Sequence, residues 1–532
     1  MLPISQRDLA HRSRDPRSLI RSSLLIVGAS LVLALALSAI DLARIATGSE
    51  FESQGAEELL EKIGVQNPET MPEWVQFVRT GYAGDLFREQ MDARWLDSAE
   101  ERTGDRAPLE LETTSLSDDE KALLHHLFDA LHGVHREGIR PEVESLPEEL
   151  PLRSEILGDL AFLEGDYALA REGYQDERER NPDSLYSRRS IVVTAWREMD
   201  RSVIRSLLED PVYRDAFSAN ERLELRADAR DYTGLAVDVV FREWGLYRLV
   251  ATIPALFAAA IWFLILMPFW TISRERVIAA LVSFLLGIAS AGLTIYLVMV
   301  QERIQGFTEP DGSDPISHLL YFVAGVGLRE EVAKLVCFLP VAIWAAPRRK
   351  PIEGMILAAC TGLGFAFQEN IAYLHQSFDS YLAWVRFLTS SVLHFSLTGI
   401  AGFYLYRMIQ RKFHGWEEFL AAFIAVVIGH GFYNFLIILP SLATYSPLSP
   451  ILVAIMAYRF FDPLRSNMDT LGIGQRISPL GVFVIGSALL TCSVLVSTST
   501  YVPFRMALGN FAASLGGMIP LSFAFISRFR DL

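Results

Sequence analysis

The chain has 532 residues, 51% hydrophobic and 21% charged, so it is long enough for several domains and too apolar to be wholly soluble. Its net charge of -15 is unevenly spread: acidic residues concentrate between about Asp41 and Glu243, while the short connections further on are basic, a balance that argues against nucleic acid as a partner. Cys337, Cys360 and Cys492 all lie in apolar runs, which excludes a disulfide framework from the polar part of the chain.

Residues 1–22 form a basic cytoplasmic N-terminus carrying Arg12, Arg14, Arg17 and Arg21. The apolar run 23–40 that follows nearly spans a hydrocarbon core of roughly 30 Å at 1.5 Å per residue. We read it as an uncleaved anchor. A cleaved signal peptide is the alternative, because Ala36, Ser38 and Ala39 close the run with small residues. Either way the next segment is exported. Residues 41–243 are polar and rich in Leu, Ala, Glu and Arg, with apolar positions at helical spacing, and predict a soluble α-helical extracytoplasmic domain. Near 154–184, Leu157, Gly158, Ala161, Ala170, Tyr174 and Pro182 fall at the spacing of one tetratricopeptide-like unit. Residues 187–208 and 219–240 are candidates for degenerate hairpins beside it, a generic helical bundle being the alternative.

Nine more apolar runs follow: two in 249–300, four in 318–439, and the rest in 448–532. The fold class is therefore all-α, a polytopic helical membrane protein with about ten spans. The connections test the topology, because Lys and Arg favour the cytoplasmic side. Arg274 and Arg276, Arg348 to Lys350, Arg407 to Lys412, Arg465 and Arg476, and the tail with Arg528 and Arg530 all fall inside if the N-terminus does. This places the protein in the inner cell membrane with both termini cytoplasmic.

Four successive runs, 318–439, contain groups that lipid should exclude: Glu330-Glu331 with Lys334, Glu369-Asn370, His394, and His430 with Asn434. A charge near a span centre costs about 2.5–3.5 kcal/mol even on lenient scales, so adjacent glutamates there need a reason. Neighbours on a helix point about 100° apart, so one Glu can face a cavity while the other braces the site, and Lys334 lies one turn from both. Gly354, Ala358, Gly362, Ala366 and Asn370 repeat every four residues as a small-residue face, and Ser390, His394, Thr398 and Gly402 do the same on the next run. Both stripes are expected to face protein. Helical rise places Glu330, His394 and His430 within roughly 6 Å of one another in depth.

The set suits amide hydrolysis. A glutamate balanced between desolvation and a nearby cation is poised to take a proton from water, histidine can protonate the leaving amine, and Asn or a second His can stabilise the oxyanion. The expected roles are Glu330 or Glu331 as base, His394 and His430 as proton donor and oxyanion stabiliser, with Lys334, Glu369, Asn370 and Asn434 in support. No metal or other cofactor is expected; two His and one Glu holding zinc is the less favoured version.

In that order on four runs, Glu-Glu-x-x-Lys, Phe-x-x-x-Glu-Asn, the lone His and His-x-x-x-Asn resemble the PrsW family of intramembrane proteases, and more distantly the CAAX- and bacteriocin-processing peptidases. Those CAAX peptidases usually carry an Arg and a His where this chain has Lys334 and Glu369, which favours the PrsW side. The resemblance covers about 319–439. It implies a glutamate-type mechanism and a membrane-anchored protein substrate, with anti-sigma factors as the known class. The partners expected are therefore that substrate, the lipid bilayer, and a protein or peptide on the exported helical domain. Two other functions use the same features: an ion- or proton-coupled transporter working through the buried Glu and His groups, and a non-catalytic scaffold presenting the helical domain.

Overall fold

The structure is a computed structural model that describes residues 10–47, 70–72, 74–75, 78–79, 115–131, 136–269, 273–310, 314–376, 380–468, 477–499 and 504–530. Every regular element among them is helical, so the expected all-α class holds. Contacts divide the chain into two units, Glu50–Leu225 and the remainder, Met1–Ser49 with Arg226–Leu532.

In the first unit, α2 (Asp118–Leu131) and α3 (Arg136–Glu144) precede α4 (Arg153–Leu163), α5 (Tyr167–Arg180), α6 (Leu185–Arg197), α7 (Arg201–Glu209) and α8 (Ala219–Asp228), whose last residues pass into the other unit. The α4–α5 hairpin closes on small residues: a Cβ on Gly173 would sit 2.8 Å from the Ser154 carbonyl oxygen, and one on Gly158 would meet the Tyr174 ring at 2.7 Å. Asn181 ends α5 just before Pro182, which cannot continue a helix.

The turn inside this hairpin recurs twice. Gly165, Met199 and Arg230 each adopt positive φ, at 81°, 53° and 55°, and each precedes an aspartate, Asp166, Asp200 or Asp231, that caps the next helix. The backbone closes all three identically, with Asp166 N–H donating to Ala161 O, Asp200 to Ala195 O and Asp231 to Arg226 O. The three aspartates are spaced by 34 and 31 residues, close to the 34-residue period of tetratricopeptide hairpins. Sequence reading found no clean second copy because glycine, the residue that marks such a turn, is present only in the first.

In the second unit, α1 (Pro16–Thr47) is the N-terminal apolar helix. After α9 (Tyr232–Gly245) come α10 (Leu249–Leu266), α11 (Arg274–Met299), a short α12 (Pro315–Leu320), α13 (Leu328–Ala345), α14 (Pro351–Gln376), α15 (Ser380–Leu388), α16 (Ser390–Gln410), α17 (Trp416–Ile438), α18 (Leu448–Met468), α19 (Pro479–Thr498) and α20 (Phe504–Arg530). The expected domain edge at residue 243 differs from this division, because α9 lies against α11 and its Glu243 accepts a hydrogen bond from Gln368 of α14 at 2.8 Å. Seven helices among the described residues are long and apolar enough to cross a membrane, against the ten runs read from sequence. Of the others, α13 carries Arg329, Glu330, Glu331 and Lys334, and α18 carries Arg459, Asp462 and Arg465.

Two spans form the centre of this unit. Buried residues make up 89% of the apolar window of α14 and 83% of that of α15–α16, against 50% or less in the other five, so lipid-facing helices surround them. Trp262 of α10 fastens that shell to the centre, donating to the Phe387 carbonyl at 2.8 Å with its ring against Phe395 and Phe483.

Candidate functional site

Glycines bring the four site-bearing elements together. On α14 and α16 the two small-residue stripes meet: a Cβ on Gly402 would lie 2.2 Å from that of Ala358, and one on Gly362 would lie 2.4 Å from the His394 carbonyl oxygen. Helices approach this closely only where side chains are minimal, and the approach sets Glu369 and Asn370 beside Ser390, Ser391 and His394. On α17, Gly431 packs against the chain ahead of α13, where a Cβ would meet Val323 Cα at 2.5 Å. That contact seats the neighbouring His430 against Glu330 and Glu331.

The segment leading into α13, Tyr321–Gly327, is π-helical. A π turn inserts one residue into the helical register and frequently marks a functional site. Arg329 secures it from below, donating to the Gly325 carbonyl at 2.7 Å and to Glu302 at 3.2 Å; Glu302 itself sits in a second π-helical stretch, Val300–Ile304.

At the centre lies Lys334, fully buried, with Nζ donating to Glu331 Oε1 at 2.8 Å and to Glu330 Oε2 at 3.2 Å, 2.8 Å from His394 Nδ1 and 3.9 Å from the centroid of the Phe365 ring. The two glutamates divide as their helical angle requires. Glu331 is completely buried and both its oxygens are engaged, Oε1 by Lys334 and by His430 Nδ1 at 2.9 Å, Oε2 by the Thr398 hydroxyl at 3.1 Å. Glu330 is less enclosed: its Oε2 lies 3.4 Å from His430 Nε2 and 4.0 Å from His394 Nδ1, and its Oε1 has no hydrogen-bond partner among the described residues.

Histidine tautomers follow from these partners. Ionised carboxylates only accept, so His430 donates from Nδ1 to Glu331, and His394 donates from Nε2 to Glu369 Oε2 at 2.8 Å. Each ring thus turns one proton-free nitrogen inward, braced by a carboxylate behind it. By formal charge, three carboxylates, Glu330, Glu331 and Glu369, face two basic side chains, Lys334 and Arg386, an excess of one negative charge in a low-dielectric interior.

The structure gathers Glu330, Glu331, Lys334, Glu369, Asn370, His394 and His430 into one cluster. Asn434, half-buried one turn beyond His430, forms no hydrogen bond with it among the described residues. Two participants had no assigned role from sequence. Thr398 stood in the right stripe without a partner to give it one. Arg386, an arginine within an apolar run, carried the same signal as the glutamates. It donates to Glu369 Oε2 and Asn370 Oδ1, both at 2.7 Å.

Residues 275–460 match the sequence model of the PrsW family intramembrane metalloproteases. Over these residues the chain resembles the PrsW family. The chain is also similar to the Protease PrsW of Clostridioides difficile (strain 630), 24% identical over 194 residues that cover 35% of this chain and 79% of the relative. No solved structure matches the chain. The match contains every residue of the cluster, and the chain is an intramembrane protease acting on protein substrate in the membrane.

The PrsW family is described as metalloproteases, so we tested the cluster against a divalent cation. Glu330, His394 and His430 offer ligand atoms within 4.8 Å of one another, all buried. Two histidines and one carboxylate are a donor set of catalytic zinc sites, and carboxylates on the far nitrogens, Glu331 and Glu369 here, are the usual outer support. The donor set is that of a metal site, with Lys334 Nζ lying 2.8 Å from His394 Nδ1 and 3.2 Å from Glu330 Oε2 against two of its three residues, and the expected absence of a metal is not established.

Proposed function

We propose that the chain hydrolyses a peptide bond of a membrane-anchored protein with water deprotonated by Glu330. The observation that carries this assignment is the asymmetry of the pair: Glu331 is saturated by Lys334, His430 and Thr398, while Glu330 keeps an oxygen with no hydrogen-bond partner among the described residues and faces His430 Nε2 at 3.4 Å. Glu330 takes a proton from water, and the hydroxide so formed adds to the carbonyl carbon. Positive charge at Lys334 stabilises the oxyanion. As the C–N bond breaks, the proton passes through His430 to the leaving amine. Glu331 braces His430 and Lys334, and Glu369 with Asn370 fixes the His394 side.

A second reading is favoured by the inward-turned nitrogens of the two histidines. In it Glu330, His394 and His430 hold a divalent ion, which would supply Lewis-acid polarisation and acidify water.

The basic connections favour an inner membrane location with both termini cytoplasmic. By resemblance to PrsW proteases, the substrate class is a membrane-bound anti-sigma factor, with the tetratricopeptide-like hairpins as its recruitment element.

The test is cleavage of reconstituted single-span substrates by wild type and Glu330→Gln, with and without chelator, alongside metal content by mass spectrometry. Glu330→Gln is expected to lose about 10²–10⁴-fold in kcat, with wild type indifferent to chelator and nearly metal-free. One equivalent of metal and inhibition by chelator would install the second reading. Undiminished cleavage by Glu330→Gln would overturn both.

A further inference from the structure

Arg386 is buried at the end of α15, three residues before the Thr389 break that starts α16. One Nη reaches Glu369 Oε2 at 2.7 Å and Ser390 Oγ at 3.0 Å, Nε reaches Asn370 Oδ1 at 2.7 Å, and the guanidinium lies 3.8 Å from the Tyr373 ring centroid. Asn370 is held from its other side, donating to Ser391 Oγ at 3.2 Å, and Ser390 also donates to Glu369 Oε2 at 3.1 Å. The arginine therefore grips two consecutive side chains of α14 through two edges of one planar group, a geometry that lysine cannot reproduce. The gripped Glu369 oxygen is the same one that accepts from His394 Nε2.

We infer that Arg386 is a positioning residue for hydrolysis: by fixing the Glu369 carboxylate it locks His394 in the Nε2–H tautomer, with proton-free Nδ1 turned toward Lys334 and Glu330. It makes no contact with Glu330, Glu331 or His430 among the described residues, so it acts through Glu369. Without the guanidinium, Glu369 Oε2 keeps only Ser390 and His394 as hydrogen-bond partners and can turn, and the ring loses its reason to face one way.

The kinetic arm of the test rests on the peptidase reading, whereas the spectroscopic arm needs no substrate. In ¹⁵N-histidine-labelled protein in nanodiscs, the His394 signals are identified by their loss in His394→Gln. Wild type is expected to show one tautomer there, and Arg386→Gln a mixture; an unchanged His394 signal in Arg386→Gln would overturn the proposal. In cleavage assays Arg386→Gln is expected to lower kcat roughly 10–100-fold, the range for losing an outer-support partner, with KM within about threefold, and Arg386→Lys to recover part of it. The Arg386→Gln/Glu369→Gln double variant is expected to be no slower than Glu369→Gln alone, because both changes break one linkage. Multiplying losses, or a raised KM at unchanged kcat, would overturn the role. A wild type that cleaves nothing defeats the peptidase reading and leaves the tautomer measurement to decide this one. Should Arg386→Gln fail to fold, Arg386→Lys carries the spectroscopic comparison.

Discussion

Each unit of this protein buries a network of carboxylates around a cation, and the two networks end differently. In the unit Glu50–Leu225, Arg79 bonds Glu155 at 2.7 Å and Asp159 at 2.5 Å, Ser184 and Ser187 donate to the other Glu155 oxygen, and Tyr174 and Tyr186 donate to the other Asp159 oxygen. Every carboxylate oxygen there has a partner. In the membrane unit the same economy is applied to Glu331 and withheld from Glu330. Buried charge alone therefore does not mark an active site, since a closed network serves rigidity; the open valence on one member is what distinguishes the two. Burial holds the Asp159 carboxyl above its usual range against the opposing pull of Arg79.

Breaking each network should have opposite signatures. The largest effect is expected in the closed one: Arg79→Met leaves Glu155 and Asp159 buried without their cation, at a cost of about 3–5 kcal/mol, enough to unfold a marginally stable unit. Limited proteolysis of the full chain in detergent, with cuts between residues 115 and 225, would register it; unchanged protection would show that the network is dispensable. Next comes Gly431→Ala, whose Cβ would enter a contact of 2.5 Å to Val323 Cα. Overpacking of this kind costs about 1–3 kcal/mol, but the displacement of His430 should reduce cleavage by about 10²-fold, so activity falls far more than thermal stability. Thr398→Val removes one donor to Glu331 and should lower kcat roughly tenfold, equivalent to about 1.5 kcal/mol; an effect on KM alone would contradict a bracing role. Smallest is the repeated turn. Met199 is 84% exposed and holds φ 53°, so Met199→Gly relieves strain without losing packing and should stabilise the unit Glu50–Leu225 by roughly 0.5 kcal/mol in urea unfolding, while Gly165→Ala at φ 81° should destabilise it by about 1 kcal/mol.

The helical class and the meeting of Glu330, Glu331, Glu369, His394 and His430 were legible because ionisable groups are conspicuous against apolar sequence. The stripes were legible too, since a four-residue repeat of small residues is enough to foresee a face such as the one where Gly402 meets Ala358; that Thr398 of the same stripe meets Glu331 was not. Which glutamate is closed and which is open was not, because it depends on partners from two other helices, α16 and α17. Arg386 carried the same signal as the glutamates, a charge within an apolar run, but its role depends on partners on α14 that no spacing gives. The π turn at Tyr321–Gly327 leaves no periodic trace, as it is a local change of register. Finally, the second and third hairpins were legible only as degenerate candidates, 187–208 and 219–240, because Met199 and Arg230 hold a backbone shape normally signed by glycine.

Lys334 sits on the same helix as both glutamates, three and four residues away. The pairing therefore needs no partner helix: it can form as soon as α13 coils, while the segment is still leaving the insertion machinery. Two carboxylates that would be expensive to deliver singly into a bilayer arrive with their counter-charge already attached, and only one negative charge remains for assembly to neutralise. Biogenesis of the enzyme, as much as its chemistry, constrains that lysine to its own helix.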